Sequence, residues 1–152
     1  MFFEENLIPW VGKIGKLIGS CMNKVFKDNN INLTREQFII LKLLETNNGK
    51  PQHDLAFITE SDKTSFSRLI SNMEKNNLIL RESTKQDKRI KNVYITDSGR
   101  EILSKAAPIV LKFIKKFQKN LTEFEINQAI QTIKKLQSNI TKEHSNKLCD
   151  KK

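Results

Sequence analysis

SDKTSFSRLISNMEKNNLILR, residues 61–81, carries two patterns at once. Phe66, Leu69, Ile70 and Met73 recur at i, i+3, i+4 and i+7, the apolar stripe of a helix. Ser61 and Asp62 precede the stripe, and their side-chain oxygens suit an N-cap, where orphan backbone N–H groups need an acceptor. The opposite face holds Lys63, Thr64, Ser65, Ser67, Arg68, Ser71 and Asn72, a short, hydroxyl-rich and basic set. A helix with that outer face fits a DNA major groove, where hydroxyls and Arg meet base edges and phosphates. Taken alone, the same pattern also describes a solvated amphipathic helix. The flanking sequence separates the two.

Upstream, Thr34 opens a helix with a capping-box spelling, Gln37 standing three residues on. Phe38, Leu41 and Leu44 or Glu45 follow, and Asn47-Asn48-Gly49 ends it. Pro51 suits the first position of a short third helix with Leu55, Ala56 and Ile58 inward. Thr59-Glu60 then breaks the chain before the helix over 62–75. Short helix, short turn and a second helix with a polar outer face make a helix-turn-helix. Downstream, Asn76-Asn77 closes the helix through a left-handed residue, and 78–83 reads as a strand. The tip TKQDKRIK, residues 84–91, is polar and basic, and 92–96 returns with Val93 and Ile95 on one face. A hairpin with a basic tip after a helix-turn-helix is a winged helix. Lys85, Lys88, Arg89 and Lys91 on the wing suit phosphates or a minor groove, whose negative potential favours Arg.

The ends read as long helices. Over 7–26, Leu7, Val11, Ile14, Ile18, Cys21 and Val25 alternate spacings of four and three, a heptad-like stripe widened by Trp10, Leu17 and Met22. Asp28-Asn29-Asn30 ends it. Thr96 and Asp97 cap a helix striped by Ile102, Leu103, Ala106, Val110, Phe113, Ile114 and Phe117, with Lys112, Lys115, Lys116 and Lys119 on a separate face. Thr122 and Glu125 spell a capping box for the last helix, striped by Ile126, Ala129, Ile130, Ile133, Leu136 and Ile140, and the polar tail after Glu143 is expected to fray. The fold class is mainly α: one domain over 1–152, with a winged helix-turn-helix at 34–97 between helical segments 1–30 and 98–145.

Charge and composition bound the function. The 152 residues carry a net charge of +10, distributed as zero over 1–60, +4 over 61–100 and +6 over 101–152. That balance suggests an anionic partner, nucleic acid ahead of a membrane surface. Cys21 and Cys149 stand far apart, which is no disulfide framework and fits a reducing compartment. The chain lacks both a signal-peptide pattern and a run of about 18 apolar residues, so a cytoplasmic protein is expected. His53 and His144 have no neighbour at metal-ligand spacing. No nucleophile–base pair, phosphate loop or paired carboxylates can be read, so neither an enzyme nor a cofactor is expected.

The runs Leu33-Thr34-Arg35-Glu36-Gln37-Phe38, Leu55-Ala56 and Asp62-Lys63-Thr64-Ser65 resemble the MarR family of bacterial transcription regulators. So do Leu78-Ile79-Leu80-Arg81, Asp87-Lys88-Arg89 and Ile95-Thr96-Asp97-Ser98-Gly99. The resemblance implies a homodimer whose terminal helices interlock and hold two winged helices over a pseudo-palindromic operator, a repressor released by a small-molecule effector. It assigns Thr64, Ser65, Ser67 and Arg68 to the recognition helix and Arg89 to the minor groove. Asp87 then braces the wing, with Arg81 its expected partner. Asn77 stands where the family usually has Gly, and Asn tolerates the left-handed turn. Trp10, Phe113 and Phe117 are the candidates for an effector pocket, against core packing for each. One branch of the family senses hydroperoxides through an N-terminal-helix Cys. Cys21, lying in the apolar stripe, reads instead as buried and structural. Two other readings stand beside DNA repression: a redox-responsive regulator using Cys21, and a winged helix serving as a protein-interaction module.

Overall fold

The helices begin where side chains satisfy their first amides. The computed structural model describes residues 4–59, 62–84 and 87–149, with backbone alone for 57, 58 and 144–149. The elements are α1 (Leu7–Asp28), α2 (Arg35–Thr46), β1 (Lys50–Pro51), α3 (Gln52–Ile58), α4 (Lys63–Lys75), β2 (Ile79–Ser83), β3 (Lys91–Ile95), α5 (Asp97–Gln118) and α6 (Glu123–Cys149). At α2 the capping box closes both ways: the Gln37 amide donates to Thr34 Oγ1 at 3.2 Å and the Thr34 amide to Gln37 Oε1 at 2.9 Å. Asp62 Oδ1 accepts the Thr64 and Ser65 amides, each at 3.0 Å, while Ser61 lies outside the described residues. Thr96 Oγ1 accepts the Gly99 amide at 3.0 Å and starts α5. Thr122 and Glu125 repeat the reciprocal box at α6.

Asparagine ends two of these helices in the same way. Asn30 has φ 55° and Asn77 φ 56°. After α4 the Leu78 amide donates to the Met73 carbonyl at 3.0 Å and the Asn77 amide to Glu74 at 2.9 Å, the paired bonds of a Schellman turn. After α1, Ile31 to Phe26 at 2.9 Å and Asn30 to Lys27 at 3.1 Å repeat it. The αL conformation costs a non-glycine residue roughly 1–2 kcal/mol, least for Asn. Asn77 therefore makes the left-handed turn that closes α4 without a glycine.

The chain divides into two compact units, residues 1–113 and 114–152. In the first, an antiparallel sheet of order β1-β3-β2 packs with the helices around Phe26, Ile40, Leu41, Leu44, Leu55, Phe66, Ile70 and Val93. The apolar face of α4 is buried as its spacing requires: Phe66, Ile70 and Met73 are inside, with Leu69 partly so. Val93 and Ile95 are both buried, as their shared face predicts. Pro51 is a correction. It is the last residue of β1 and directly precedes α3 instead of being its first residue, with Lys50 opposite Val93 and itself opposite Asn92. Gly49, at φ +78°, donates its amide to the Val93 carbonyl at 3.1 Å, and a Cβ there would lie 2.7 Å from the Tyr94 ring. The Asn48 side chain accepts the Ile95 amide at 2.9 Å. Together these contacts seat a third strand that the sequence pattern did not reveal.

Only the last turns of α1 enter this core, through Met22 and Phe26. Leu7, Ile8, Trp10, Ile14, Leu17 and Ile18 remain exposed. Cys21, expected to be buried, is exposed as well, because the buried side of α1 runs through Met22 and Phe26 beside it. The second unit is built on α6, where Phe124, Ile130, Ile133 and Ile140 are exposed. The backbone of α6 runs on past Glu143 to Cys149.

Candidate nucleic-acid interface

The outer face of α4 presents most of the residues expected on it. Lys63, Thr64, Ser67, Arg68 and Ser71 are exposed along 63–71. Two hydroxyl- or amide-bearing neighbours are already engaged. The Ser65 hydroxyl bonds to the Asp62 carboxylate, and this bond, with the Ser65 and Thr64 amides, holds Asp62 below its ordinary carboxylate range. Asn72 Oδ1 accepts from Gln37 Nε2 at 3.0 Å and from Asn76 Nδ2 at 3.2 Å. Gln37, only 7% exposed, thus completes the cap of α2 and ties α2 to α4 with a single side chain. The sequence showed its role in the cap and not the tie.

A second tie joins the far end of α4 to the wing. Glu74 Oε1 accepts the Arg81 amide at 3.2 Å, and Oε2 accepts Arg81 Nε at 3.0 Å together with Nη2. The expected Arg81–Asp87 pair is therefore corrected. Arg81, on β2 and opposite Val93 of β3, turns toward α4 instead. The Arg81 side chain is 17% exposed, so its guanidinium is better served by a close carboxylate, whose Oε2 takes both of its N–H contacts, than by the exposed tip. Asp87 still organises the tip, through backbone. Its Oδ1 accepts the Arg89 amide at 2.8 Å, and its own amide donates to Thr84 Oγ1 at 3.0 Å while its carbonyl accepts that hydroxyl at 2.7 Å.

Lys88, Arg89 and Lys91 are exposed around that turn, and Lys85 lies outside the described residues. Lys91 also acts on Glu74: the Arg81 hydrogen bonds first, then the charges of Arg81 and Lys91, hold the Glu74 carboxyl below its ordinary range against partial burial. A depressed folded-state pKa stabilises the protein above the unfolded value, about 4.3, and that contribution is lost as pH falls through the folded one. Glu74→Gln is accordingly expected to lower stability by about 1 kcal/mol at neutral pH, discounted for its partial exposure. Thermal melts of both proteins should converge as pH falls below about 4, and a gap that stays constant down to pH 2 would contradict this origin.

The other expected residues do not gather on this face. Trp10 is exposed, donates Nε1–H to the Glu4 carbonyl at 2.9 Å and has Lys13 Nζ 4.9 Å from its ring. Phe113 is buried in the core of the first unit, the packing role weighed against a pocket. Phe117 is exposed, with Lys116 Nζ 5.5 Å from its ring. His53 pairs with its neighbour Asp54 at 3.0 Å. Among the described residues no three His, Cys, Asp or Glu side chains are grouped to hold a metal, and no helix is long and apolar enough to cross a membrane.

Known proteins share this arrangement. The model of the MarR family matches residues 33–91, from the α2 cap through the wing. The chain is 32% identical over 98 residues to YybA, an uncharacterized HTH-type transcriptional regulator of Bacillus subtilis, and the match spans 64% of each chain. A SlyA-like transcription regulator from Listeria monocytogenes is similar at 31% identity and a TM-score of 0.81, covering 91% of both chains. A putative MarR family transcriptional regulator from the same organism, solved with 26mer DNA, gives 30% identity and a TM-score of 0.80 over 91% of both chains.

Proposed function

This chain belongs to the MarR family of transcription regulators, non-enzymatic DNA-binding proteins, and we propose that it acts as a homodimeric repressor on a pseudo-palindromic operator. Each subunit places α4 in a major groove through Lys63, Thr64, Ser67, Arg68 and Ser71. Its wing, with Lys85, Lys88, Arg89 and Lys91, lies on the adjacent minor groove. Half-sites then stand about one helical turn, roughly 10 bp, apart. The observation that carries this reading is the exposed basic and hydroxyl face of α4 beside a basic wing, with the one acid of α4 neutralised at its far end. The exposed apolar residues of α1 and α6 support self-association, since unpaired they would leave large apolar patches in water. A small molecule releases the DNA, and the protein works in the cytoplasm.

Mobility shift with the DNA upstream of the chain's own gene tests the reading. If each subunit neutralises several phosphates, affinity should fall by at least about a hundredfold between 50 and 200 mM salt. Absence of any salt-sensitive shift would favour a winged helix that binds protein instead.

A further inference from the structure

We propose that Glu74 is a positioning residue for DNA reading: through Arg81 it fixes the recognition helix and the wing as one rigid unit. This rests on the DNA-binding reading above. The connection from α4 to β2 is only three residues, 76–78, and its Schellman turn sets the direction of the backbone. That turn does not by itself fix the strand against rotation about its own axis. The carboxylate of Glu74 does so by holding both the amide and the guanidinium of Arg81, the third residue of β2. Arg81 faces Val93 in the ladder, so the constraint passes directly to β3.

Electrostatics alone argues against an acid here. Glu74 is the one acid among the residues of α4, on an element whose partner is polyanionic. The charge of Lys91 on β3 adds to that of Arg81 in favouring the ionised carboxylate. A duplex offers its major groove and the next minor groove at a fixed separation. A reading head already held at that separation avoids the ordering cost a loosely hinged wing would incur on binding. The negative charge is retained because it sets geometry, with its repulsion offset locally.

The test uses Glu74→Gln, Arg81→Gln and the double variant in the full chain. Each is assayed well below its melting temperature on two probes: a duplex selected from a random pool by the wild-type protein, and an unselected duplex of equal length. Both single variants are expected to lose about tenfold in affinity for the selected duplex. On the unselected duplex they should part, Glu74→Gln binding slightly tighter and Arg81→Gln slightly weaker, following net charge. The double variant should lose no more on the selected duplex than either single one, because both break the same constraint. A folded Glu74→Gln that binds the selected duplex as tightly as wild type, or more tightly, overturns the proposal. So do additive losses in the double variant. Failure of the wild-type protein to select any sequence would overturn the DNA-binding reading as well, which separates the two failures.

Discussion

Arg68→Ala and Arg89→Ala are each expected to weaken operator binding by about ten- to a hundredfold, the effect of removing an Arg contact worth about 1–3 kcal/mol. The melting temperature should hardly move. Arg68 is exposed on α4, whose buried side is Phe66, Ile70 and Met73. Arg89 holds its place in the wing through a backbone amide to Asp87, a bond that alanine preserves. The two losses should also differ in kind. An Arg that reads a base edge relaxes specificity at one position when removed, whereas one that meets phosphate weakens all sequences alike and flattens the salt dependence. Wild-type affinity for both variants across a salt series would take these residues off the DNA face.

Gly99→Ala is expected to cost about 3 kcal/mol of stability, even though alanine is the better helix former by about 1 kcal/mol. A Cβ at Gly99 would lie 2.2 Å from the Leu78 carbonyl oxygen and 2.9 Å from Ile95 Cγ1. Neither can give way easily. The Leu78 carbonyl also accepts the Thr96 amide at 3.2 Å, and Ile95 is buried in the core. The added methyl must therefore push the first turn of α5 off the turn between α4 and β2. Urea titration checks this, with Ser98→Ala as the neighbouring control because Ser98 is exposed and makes one long contact, from Asn77 Nδ2 at 3.3 Å. A Gly99→Ala protein within about 0.5 kcal/mol of wild type would mean that the close approach relaxes without cost.

Features that depend on near neighbours in the chain were legible from the residues alone. Thr34 with Gln37 and Thr122 with Glu125 closed their boxes because a cap needs only residues three apart. Asn77 took the left-handed turn for the same reason. The misses are non-local. β1 has two residues, too short to show an alternation, and only Val93 and Asn92 opposite make it a strand. Arg81 found its carboxylate on the preceding helix rather than in the tip, a choice that depends on how α4 lies against the sheet. Periodicity located the apolar stripe of α1 but carried no information on how much of it the core reaches. Cys21 was misplaced on that account. On the candidate interface the exposed residues of α4 were legible, while the ties made by Gln37 and Glu74 were not, because each joins two elements whose contact the sequence does not encode as a pattern.

The misread proline has a consequence for behaviour in concentrated solution. A sheet edge with free amides is a template on which another chain can add a strand, the first step toward aggregation. Here one of the two edges is β1, a two-residue strand, and one of its residues is Pro51, which has no amide hydrogen to offer. A small sheet that must present a projecting hairpin to solvent is thereby closed to recruitment along that side.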